Sequence, residues 1–362
     1  MRIVLTVSAM GSGGAERVVS LLSDEFCKLG HEVTILMIST SEKKSFYSLN
    51  PNVNLVPLLS GVKKRTRFLS RVRIMRKYFL EVHPDIVISF LKHVCIYTYF
   101  TLRNTTIPYI LSERNDPNQY SFLYRQLLKR AFSNASGCVF QTNDAMKWYR
   151  KKRVKATDRV IYNPVNLSFI PENLTDVKRK KNVLFVGRLV KQKNIALLLN
   201  SFKLFSMHHD DYFLDVYGDG PEKHDFFKQA KELGIENKII YHGIKADWHG
   251  IEYNSSLFVL TSLFEGMPNS LLEAASLNIP CLSTDCPIGG SRELSSIFDN
   301  ILLVENNCTP EQFYYKMEEA ILYNKPFQGI KKEMQLSSIS NNWIDLFEDV
   351  INAKKHNCLS FR

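Results

Sequence analysis

The 362-residue sequence has no long apolar run: none of its stretches reaches the roughly 18 apolar residues that a membrane-spanning helix requires. A secretory leader pattern is also missing, because a strand-like segment, residues 2–7, directly follows Met1. Hydrophobic residues make up 45% of the chain and charged residues 23%, as in soluble globular proteins. The sequence therefore predicts a cytoplasmic protein with an ample core.

Paired cysteines are missing as well. The seven cysteines are odd in number, lack the spacing of a zinc site or a disulfide framework, and mostly have apolar neighbours. This pattern predicts reduced, buried thiols, as in cytosolic proteins. The seven are Cys27, Cys95, Cys138, Cys281, Cys286, Cys308 and Cys358.

Three common nucleotide and metal motifs are absent. No GxGxxG register follows the first predicted strand, and no lysine follows its glycine-rich loop as in a P-loop. No Asp-x-Asp pair follows a strand, as a divalent-metal clamp for a nucleotide sugar would require. Residues 208–211, His-His-Asp-Asp, are metal-capable but are typical of a solvated turn. The sequence therefore predicts no metal and no other cofactor.

Strand-like and helical stretches alternate along the whole chain, which is typical of an α/β protein with parallel sheets covered by helices on both faces. The length favours two domains. A polar linker near residue 170 divides them, so we expect an N-terminal domain over 1–168, a C-terminal domain over 169–340 and an amphipathic helix over 341–362. The predicted strands are 3–7, 33–38, 86–90, 109–112, 137–141, 183–186, 213–217, 239–242, 257–261 and 280–283.

Positive charge is concentrated in the first half. The formal net charge is +11, yet residues 1–170 carry 26 Lys and Arg against 11 Asp and Glu, and residues 171–362 have a net charge of −4. The densest stretch, 63–79, interleaves basic and apolar side chains from Lys63 to Phe79, which favours contact with an anionic membrane surface. A solvated helix face is the alternative, and we expect no nucleic-acid partner.

Two loops after predicted strands favour binding of an anion. After the first strand, Gly13 and Gly14 allow the backbone to approach a ligand closely, and the following helix begins with unpaired amides. After the first strand of the second half, Arg188 and Lys193 follow Gly187, where a guanidinium and an ammonium could reach one diphosphate. Solvated loop cations are the alternative interpretation.

The segment 263–285, LFEGMPNSLLEAASLNIPCLSTD, predicts a turn that enters an apolar helix near Pro268. Glu265 would lie in the turn and Glu273 little more than one turn into the helix. A carboxylate accepts hydrogen bonds only, which suits the hydroxyls of a sugar, and the backbone amides of the turn suit an anion. Compensation of the helix dipole by two acids is the alternative. In another Gly-rich turn, Asp219 is expected to cap a helix beside the same ligand.

These motifs together resemble the retaining glycosyltransferases of family 4. The resemblance covers nearly the whole chain and rests on MGSGGAERV, PDIVISF, SERNDP, VGRLVKQKN, GDGP and LFEGMPNSLLEA. It implies the GT-B fold, in which two Rossmann-like domains face each other across a cleft and a C-terminal helix crosses back to the first domain. It also implies a nucleotide-sugar donor held mainly by the second domain, an acceptor held by the first, and catalysis without a metal.

The resemblance further implies roles on the donor side. Arg188 and Lys193 would neutralise the diphosphate, Glu265 would face the sugar, and Glu273 would face the ribose hydroxyls; the first three would be catalytic. No nucleophile is assigned, and contacts from the loop 285–294 stay open. The expected donor site comprises Gly13, Gly14, Gly187, Arg188, Lys193, Asp219, Gly266, Met267, Pro268, Asn269, Ser270 and Glu273.

On the acceptor side the resemblance implies a histidine or acid near the end of a strand. The candidates are Glu113 and Arg114 in SERNDP, and His93, which could instead lie on the following helix.

We therefore predict a retaining, metal-independent hexosyltransferase. It would move a hexose or N-acetylhexosamine from a nucleotide sugar, with uridine diphosphate the expected carrier, to a lipid-linked glycan in capsule or O-antigen-type polysaccharide biosynthesis. It would act at the inner face of the cell membrane. Two alternatives remain: a nucleotide-sugar epimerase or phosphorolytic enzyme of the same fold, and a non-catalytic protein that binds an anionic surface.

Overall fold

The computed structural model describes residues 1–61, 67–150, 154–165, 174, 177–323, 325 and 329–359, with side chains to residue 355. The chain divides into two compact units. The N-terminal unit is Met1–Pro164 together with Glu333–Arg362, and the C-terminal unit is Val165–Lys332.

The N-terminal unit is built on a seven-stranded parallel sheet with the strand order β3-β2-β1-β4-β5-β6-β7. Its central strands are mainly apolar and buried on both faces, as expected of a parallel sheet covered by helices. Its elements are β1 (Arg2–Val7), α1 (Gly14–Lys28), β2 (Glu32–Met37), β3 (Asn54–Pro57), α2 (Phe68–Val82), β4 (Ile86–Phe90), α3 (Lys92–Leu102), β5 (Tyr109–Ser112), α4 (Phe122–Asn134), β6 (Gly137–Phe140), α5 (Asn143–Tyr149) and β7 (Asp158–Val160).

The C-terminal unit is built on a six-stranded parallel sheet with the order β10-β9-β8-β11-β12-β13. The strands β8 and β11, far apart in sequence, are neighbours in this sheet. Its elements are β8 (Asn182–Val186), α6 (Ile195–His208), β9 (Phe213–Tyr217), α7 (Lys223–Glu232), β10 (Ile239–Gly243), α8 (Trp248–Glu252), β11 (Leu257–Leu260), α9 (Asn269–Ser276), β12 (Cys281–Asp285), α10 (Gly290–Ser295), β13 (Ile301–Glu305) and α11 (Pro310–Ile321).

The C-terminal helix α12 (Leu336–Leu359) completes the core of the N-terminal unit. Trp343 and Phe347 are buried, with the Trp343 ring 6.0 Å from that of Phe90 and the Phe347 ring 5.5 Å from that of Phe26. The helix therefore returns to the first unit, as the resemblance implied. No helix within the described ranges, including the 24-residue α12, is long and apolar enough to span a membrane.

All ten predicted strands are present; three have the predicted bounds and the bounds of the others shift by one or two residues. Among the described residues, three further strands, β3, β7 and β13, were not predicted. Each lies at the edge of its sheet and is paired on one side only. An edge strand needs less apolar sequence than a central one, and β3 and β7 are only 4 and 3 residues long.

The six cysteines with described side chains are free thiols, as predicted. Four of them are buried, and Cys27 and Cys308 are half-buried. Cys358 lies outside the described side chains.

The stretch 63–79, predicted to contact a membrane, is only partly described. Residues 63–66, including Lys63, lie outside the described residues, and α2 begins at Phe68. The helix turns Met75 and Phe79 into the interior, where both side chains are 0% exposed. Membrane contact through these two side chains was therefore a wrong prediction: the interleaved pattern reflects an amphipathic helix that packs on its own sheet.

Candidate active site

Lys193 and Glu265 form an ion pair at the carboxyl ends of β8 and β11. Lys193 Nζ lies 2.7 Å from Glu265 Oε1, and the two side chains are only 12% and 11% exposed. Ser262 Oγ donates a second hydrogen bond to the same oxygen at 2.8 Å. An ion pair this enclosed loses much of its hydration. Removal of either partner would therefore leave the other as an uncompensated buried charge.

The loops that carry this pair are bonded to each other. Leu263 N donates to Gln192 O at 2.8 Å, Gln192 Nε2 donates to Phe264 O at 2.7 Å, and Thr261 Oγ1 donates to Lys193 O at 2.7 Å. The adjacency follows from the sheet, since parallel neighbours end at the same edge. The site is therefore held by backbone contacts as well as by the two charges.

Two glycines allow close packing around the pair. A Cβ at Gly187 would stand 2.9 Å from Lys193 Cε, so the lysine stem passes directly over this residue. A Cβ at Gly290 would overlap the carbonyl oxygen of Gly266, the residue after Glu265. The loop 285–294, which the sequence left unassigned, thus packs against the turn that carries Glu265.

Arg188 and Asp219 lie on adjoining turns. Arg188 is exposed, and its neighbour Leu189 donates its N–H to Asp219 O at 3.1 Å. Asp219 Oδ1 accepts from Gly220 N at 2.7 Å, and this hydrogen bond holds the pKa of Asp219 below its usual value. The prediction that Asp219 caps a helix was wrong: α7 begins at Lys223 with Glu222 at its cap, so Asp219 stabilises its own turn.

Glu273 pairs with a histidine that the sequence analysis missed. His249 Nε2 lies 2.9 Å from Glu273 Oε2, and both side chains are buried. His249 lies on the short helix α8, away from any strand end, so no local motif marks it. The helix that carries Glu273 begins at Asn269 with Pro268 at its cap, as expected, and ends at Ser276. Asn269 and Ser270 are half-buried in its first turn.

In the N-terminal unit, Gly13 caps α1 and Gly14 is its first residue. A Cβ at Gly13 would overlap the carboxylate of Glu16, so this acid lies over the helix start, where it complements the helix dipole. Tyr47 donates its hydroxyl to Ser12 O at 3.1 Å, which fixes the loop before the cap.

His93 lies on α3, which was the alternative left open for it. Its Nε2 forms a short hydrogen bond with Ser8 Oγ, directly after β1. Burial is the main cause that lowers the pKa of His93, and Lys92 and Arg71 lower it further, which favours a neutral ring. The residue before the helix, Leu91, has a φ of 73°, a strained value of the kind found near functional sites.

Glu113 has a structural role inside the N-terminal unit. Its carboxylate accepts from the hydroxyls of Tyr149 and Tyr120, the latter at 3.1 Å, and from the backbone N–H of Arg114 at 2.9 Å. The side chain is buried, and burial raises its pKa. Glu113 therefore shapes the loop after β5 from inside the unit and does not line its surface.

Arg114 is half-buried at the end of β5. Its Nη1 donates to Asn163 Oδ1 at 2.6 Å, and its guanidinium lies 4.7 Å from the ring centre of Phe90. Burial lowers the pKa of Arg114 to about 9. Gln141 Nε2 also donates to Asn163 Oδ1, at 2.8 Å, so three polar side chains meet at the carboxyl edge of this sheet.

Two Rossmann-like units, with cations and carboxylates placed at the carboxyl ends of their strands, define a glycosyltransferase of the GT-B class. The model described as "Glycosyltransferase Family 4" matches residues 12–169, and "Glycosyl transferases group 1" matches residues 168–337. The chain belongs to glycosyltransferase family 4.

The similar proteins agree with this assignment. The Campylobacter jejuni "GalNAc-alpha-(1->4)-GalNAc-alpha-(1->3)-diNAcBac-PP-undecaprenol alpha-1,4-N-acetyl-D-galactosaminyltransferase" is 27% identical over 98% of this chain and 100% of its own. Sucrose-phosphate synthase from Thermosynechococcus elongatus has a TM-score of 0.78 at 13% identity, over 98% of this chain and 100% of its own. HepE of Anabaena in complex with UDP has a TM-score of 0.67 at 16% identity, over 100% of each chain. These likenesses confirm the predicted GT-B fold.

Proposed function

We propose that this glycosyltransferase moves a hexose or N-acetylhexosamine from a UDP sugar to a lipid-linked glycan, with retention of the anomeric configuration. The enclosed pair of Lys193 and Glu265 carries the proposal, because it places a cation and a hydroxyl-binding carboxylate side by side. UDP is present in the HepE complex, and the name of the Campylobacter relative specifies a diphospho-undecaprenol substrate. Both names support the proposed donor and acceptor.

The donor half of the reaction follows from the charges. As the glycosidic bond to the phosphate breaks, negative charge grows on the leaving diphosphate, and a preorganised cation stabilises that charge where it appears. Lys193 is held ready by its neighbours, and the exposed Arg188 can add a fork of donors from the next turn. Because these two cations can neutralise the diphosphate, we propose that the reaction needs no metal and no other cofactor.

Retention would come from attack on the same face of the sugar that the diphosphate leaves. The acceptor oxygen forms its bond to the anomeric carbon while the bond to the phosphate oxygen breaks, and that phosphate oxygen takes the proton of the acceptor hydroxyl. Glu265 would hold the sugar hydroxyls and Glu273 the ribose hydroxyls, since carboxylates accept the hydrogen bonds that hydroxyls donate. No side chain is required as a nucleophile in this scheme.

The acceptor would bind at the carboxyl edge of the N-terminal sheet, where His93 and Arg114 lie. A lipid-linked glycan is confined to a membrane surface, so we propose that the protein is peripheral on the inner face of the cell membrane and acts in capsule or O-antigen-type polysaccharide assembly. The net charge of +11 suits an anionic surface of this kind.

Transfer itself tests the proposal. The purified protein is incubated with radiolabelled UDP sugars and a bacterial lipid extract, and the label is followed into the organic phase. We expect label in the lipid only when both substrates are present. Conversion of the donor to an epimer or to a sugar phosphate without any acceptor would instead support the epimerase or phosphorolytic alternative.

We predict that His249→Ala raises the KM for the donor about tenfold and changes kcat little. Removal of one partner from a buried ion pair leaves the other charge uncompensated, so the Glu273 carboxylate would be less well oriented towards the ribose. His249→Gln, which retains an N–H donor, should recover part of the loss. Steady-state kinetics measures KM and kcat separately. An unchanged KM in the alanine variant would show that His249 has only a packing role.

A further inference from the structure

Helices α2, α3 and α4 lie side by side on one face of the N-terminal sheet. Contacts run from α2 to α3 and from α3 to α4, and the right-handed crossovers between strands require all three on the same face. Within the three helices, eight Lys and Arg stand against a single acid, Glu81. This face is therefore strongly cationic.

The same face carries apolar side chains that project into solvent. Phe122 and Leu123, the first two residues of α4, are 64% and 79% exposed, and Leu69 in the first turn of α2 is 65% exposed. Both first turns point towards the carboxyl edge of the sheet, because crossover helices run antiparallel to the strands. Large apolar side chains grouped among cations are typical of surfaces that contact a membrane.

Cations on this face lie over aromatic rings. Lys92 Nζ is 4.2 Å from the ring centre of Tyr120, and the guanidinium of Arg71 is 5.3 Å from that of Tyr97. The centre of the Phe68 ring lies 4.7 Å from that of the same Tyr97 ring. Such pairs hold a positive charge beside an apolar surface, which is the arrangement found at the boundary between lipid headgroups and acyl chains.

We propose that this docking face, formed by Leu69, Lys92, Phe122, Leu123 and their basic neighbours on α2 and α4, binds an anionic lipid bilayer. Phe122 and Leu123 insert into the headgroup region, and the cations meet the lipid phosphates. The inference rests on the proposed function, since only a lipid-linked acceptor needs a bilayer beside the site. It also places the bilayer near the acceptor edge, because His93 follows Lys92 directly on α3.

Vesicle sedimentation tests the docking face. The full chain is mixed with phosphatidylcholine vesicles with and without phosphatidylglycerol, and the parent is compared with a Phe122→Ser/Leu123→Ser variant. We expect the parent to bind the anionic vesicles and the variant to bind them at least about tenfold more weakly, because two large apolar side chains would no longer leave water on binding. Leu322→Ser is the matched control: its side chain is 78% exposed but lies in the C-terminal unit.

A second measurement separates this inference from the proposed function. UDP binding by the variant should equal that of the parent, because no donor-site residue changes. A variant that sediments with anionic vesicles as strongly as the parent would overturn the docking face, whatever the transfer assay shows. The Phe122→Trp variant measures insertion independently, because brominated lipids should quench the fluorescence of a tryptophan that enters the bilayer. Equal quenching of a Leu322→Trp control would also overturn the docking face. Stronger binding to single-stranded RNA than to anionic vesicles would assign the face to nucleic acid instead.

Discussion

Replacing Glu265 with alanine should lower kcat for sugar transfer by about a hundredfold or more. Removal of one preorganised group at a reacting centre costs roughly 10²–10³ in rate, and this carboxylate lies beside the cation proposed to meet the leaving group. The change also leaves the Lys193 ammonium, only 12% exposed, without its partner. Transfer rate and melting temperature therefore need to be measured on the same preparation.

Two further variants separate chemistry from stability. Glu265→Gln keeps the volume of the side chain and an oxygen for Ser262, so its melting temperature should fall less while transfer still falls. Glu318→Ala removes another carboxylate of the same unit, one that lies 2.9 Å from His209, and should leave transfer unchanged. If the Glu265→Ala protein transfers sugar as fast as the parent, the assignment of the site is wrong.

Gly290→Ala should destabilise the C-terminal unit and abolish most of the transfer activity. The added methyl group would overlap the Gly266 carbonyl, and backbone cannot rotate away as a side chain can. Overpacking of this kind costs about 1–3 kcal/mol, and relief of the overlap would displace the turn that carries Glu265. Thermal unfolding and the donor KM report the two effects.

Gly250→Ala is the matched control for this change. Gly250 also lies in a helix of the C-terminal unit, and a Cβ there would meet nothing within 4 Å. Alanine is favoured over glycine in a helix, so stability should stay equal or rise by up to about 1 kcal/mol. Equal losses in the two variants would mean that close packing of Gly290 on Gly266 is not needed.

Much of the architecture could be predicted because parallel strands buried on both faces have a strong signature. The five residues of β4 are all buried, and four of them are apolar, with Ser89 the exception. The edge strands β3 and β7 could not be predicted in the same way, since they are short and their sequences mix polar and apolar residues. The edge strand β13 has four apolar residues in a row, and the sequence analysis missed it although the signal was present.

Only the parts of the site that lie in local sequence motifs could be predicted. Lys193 and Glu265 were each recognisable after a strand, but their 2.7 Å contact depends on β8 and β11 being neighbours, which no spacing reveals. The contact between His249 and Glu273 joins two helices, and no local sequence motif indicates it. The burial of Glu113 was also not predictable, because its partner Tyr149 lies 36 residues further along the chain.

The basic stretch of α2 shows that periodicity in a sequence does not tell whether a helix face contacts solvent or a membrane. Alternating basic and apolar residues suit a membrane surface and a solvated helix equally well. The fold settles part of the question by burying Met75 and Phe79 and by bringing α4, with Phe122 and Leu123, onto the same face. The cationic surface thus involves three helices and not one segment.

Hydrogen exchange with and without UDP tests the central claim most directly, because it locates the donor on the chain. If the loops that carry Lys193 and Glu265 hold the diphosphate and Glu273 holds the ribose, saturating UDP should slow amide exchange over residues 187–193 and 265–273 in the C-terminal unit. Unchanged exchange in both segments, with protection by UDP elsewhere in the chain, would contradict the proposed donor site.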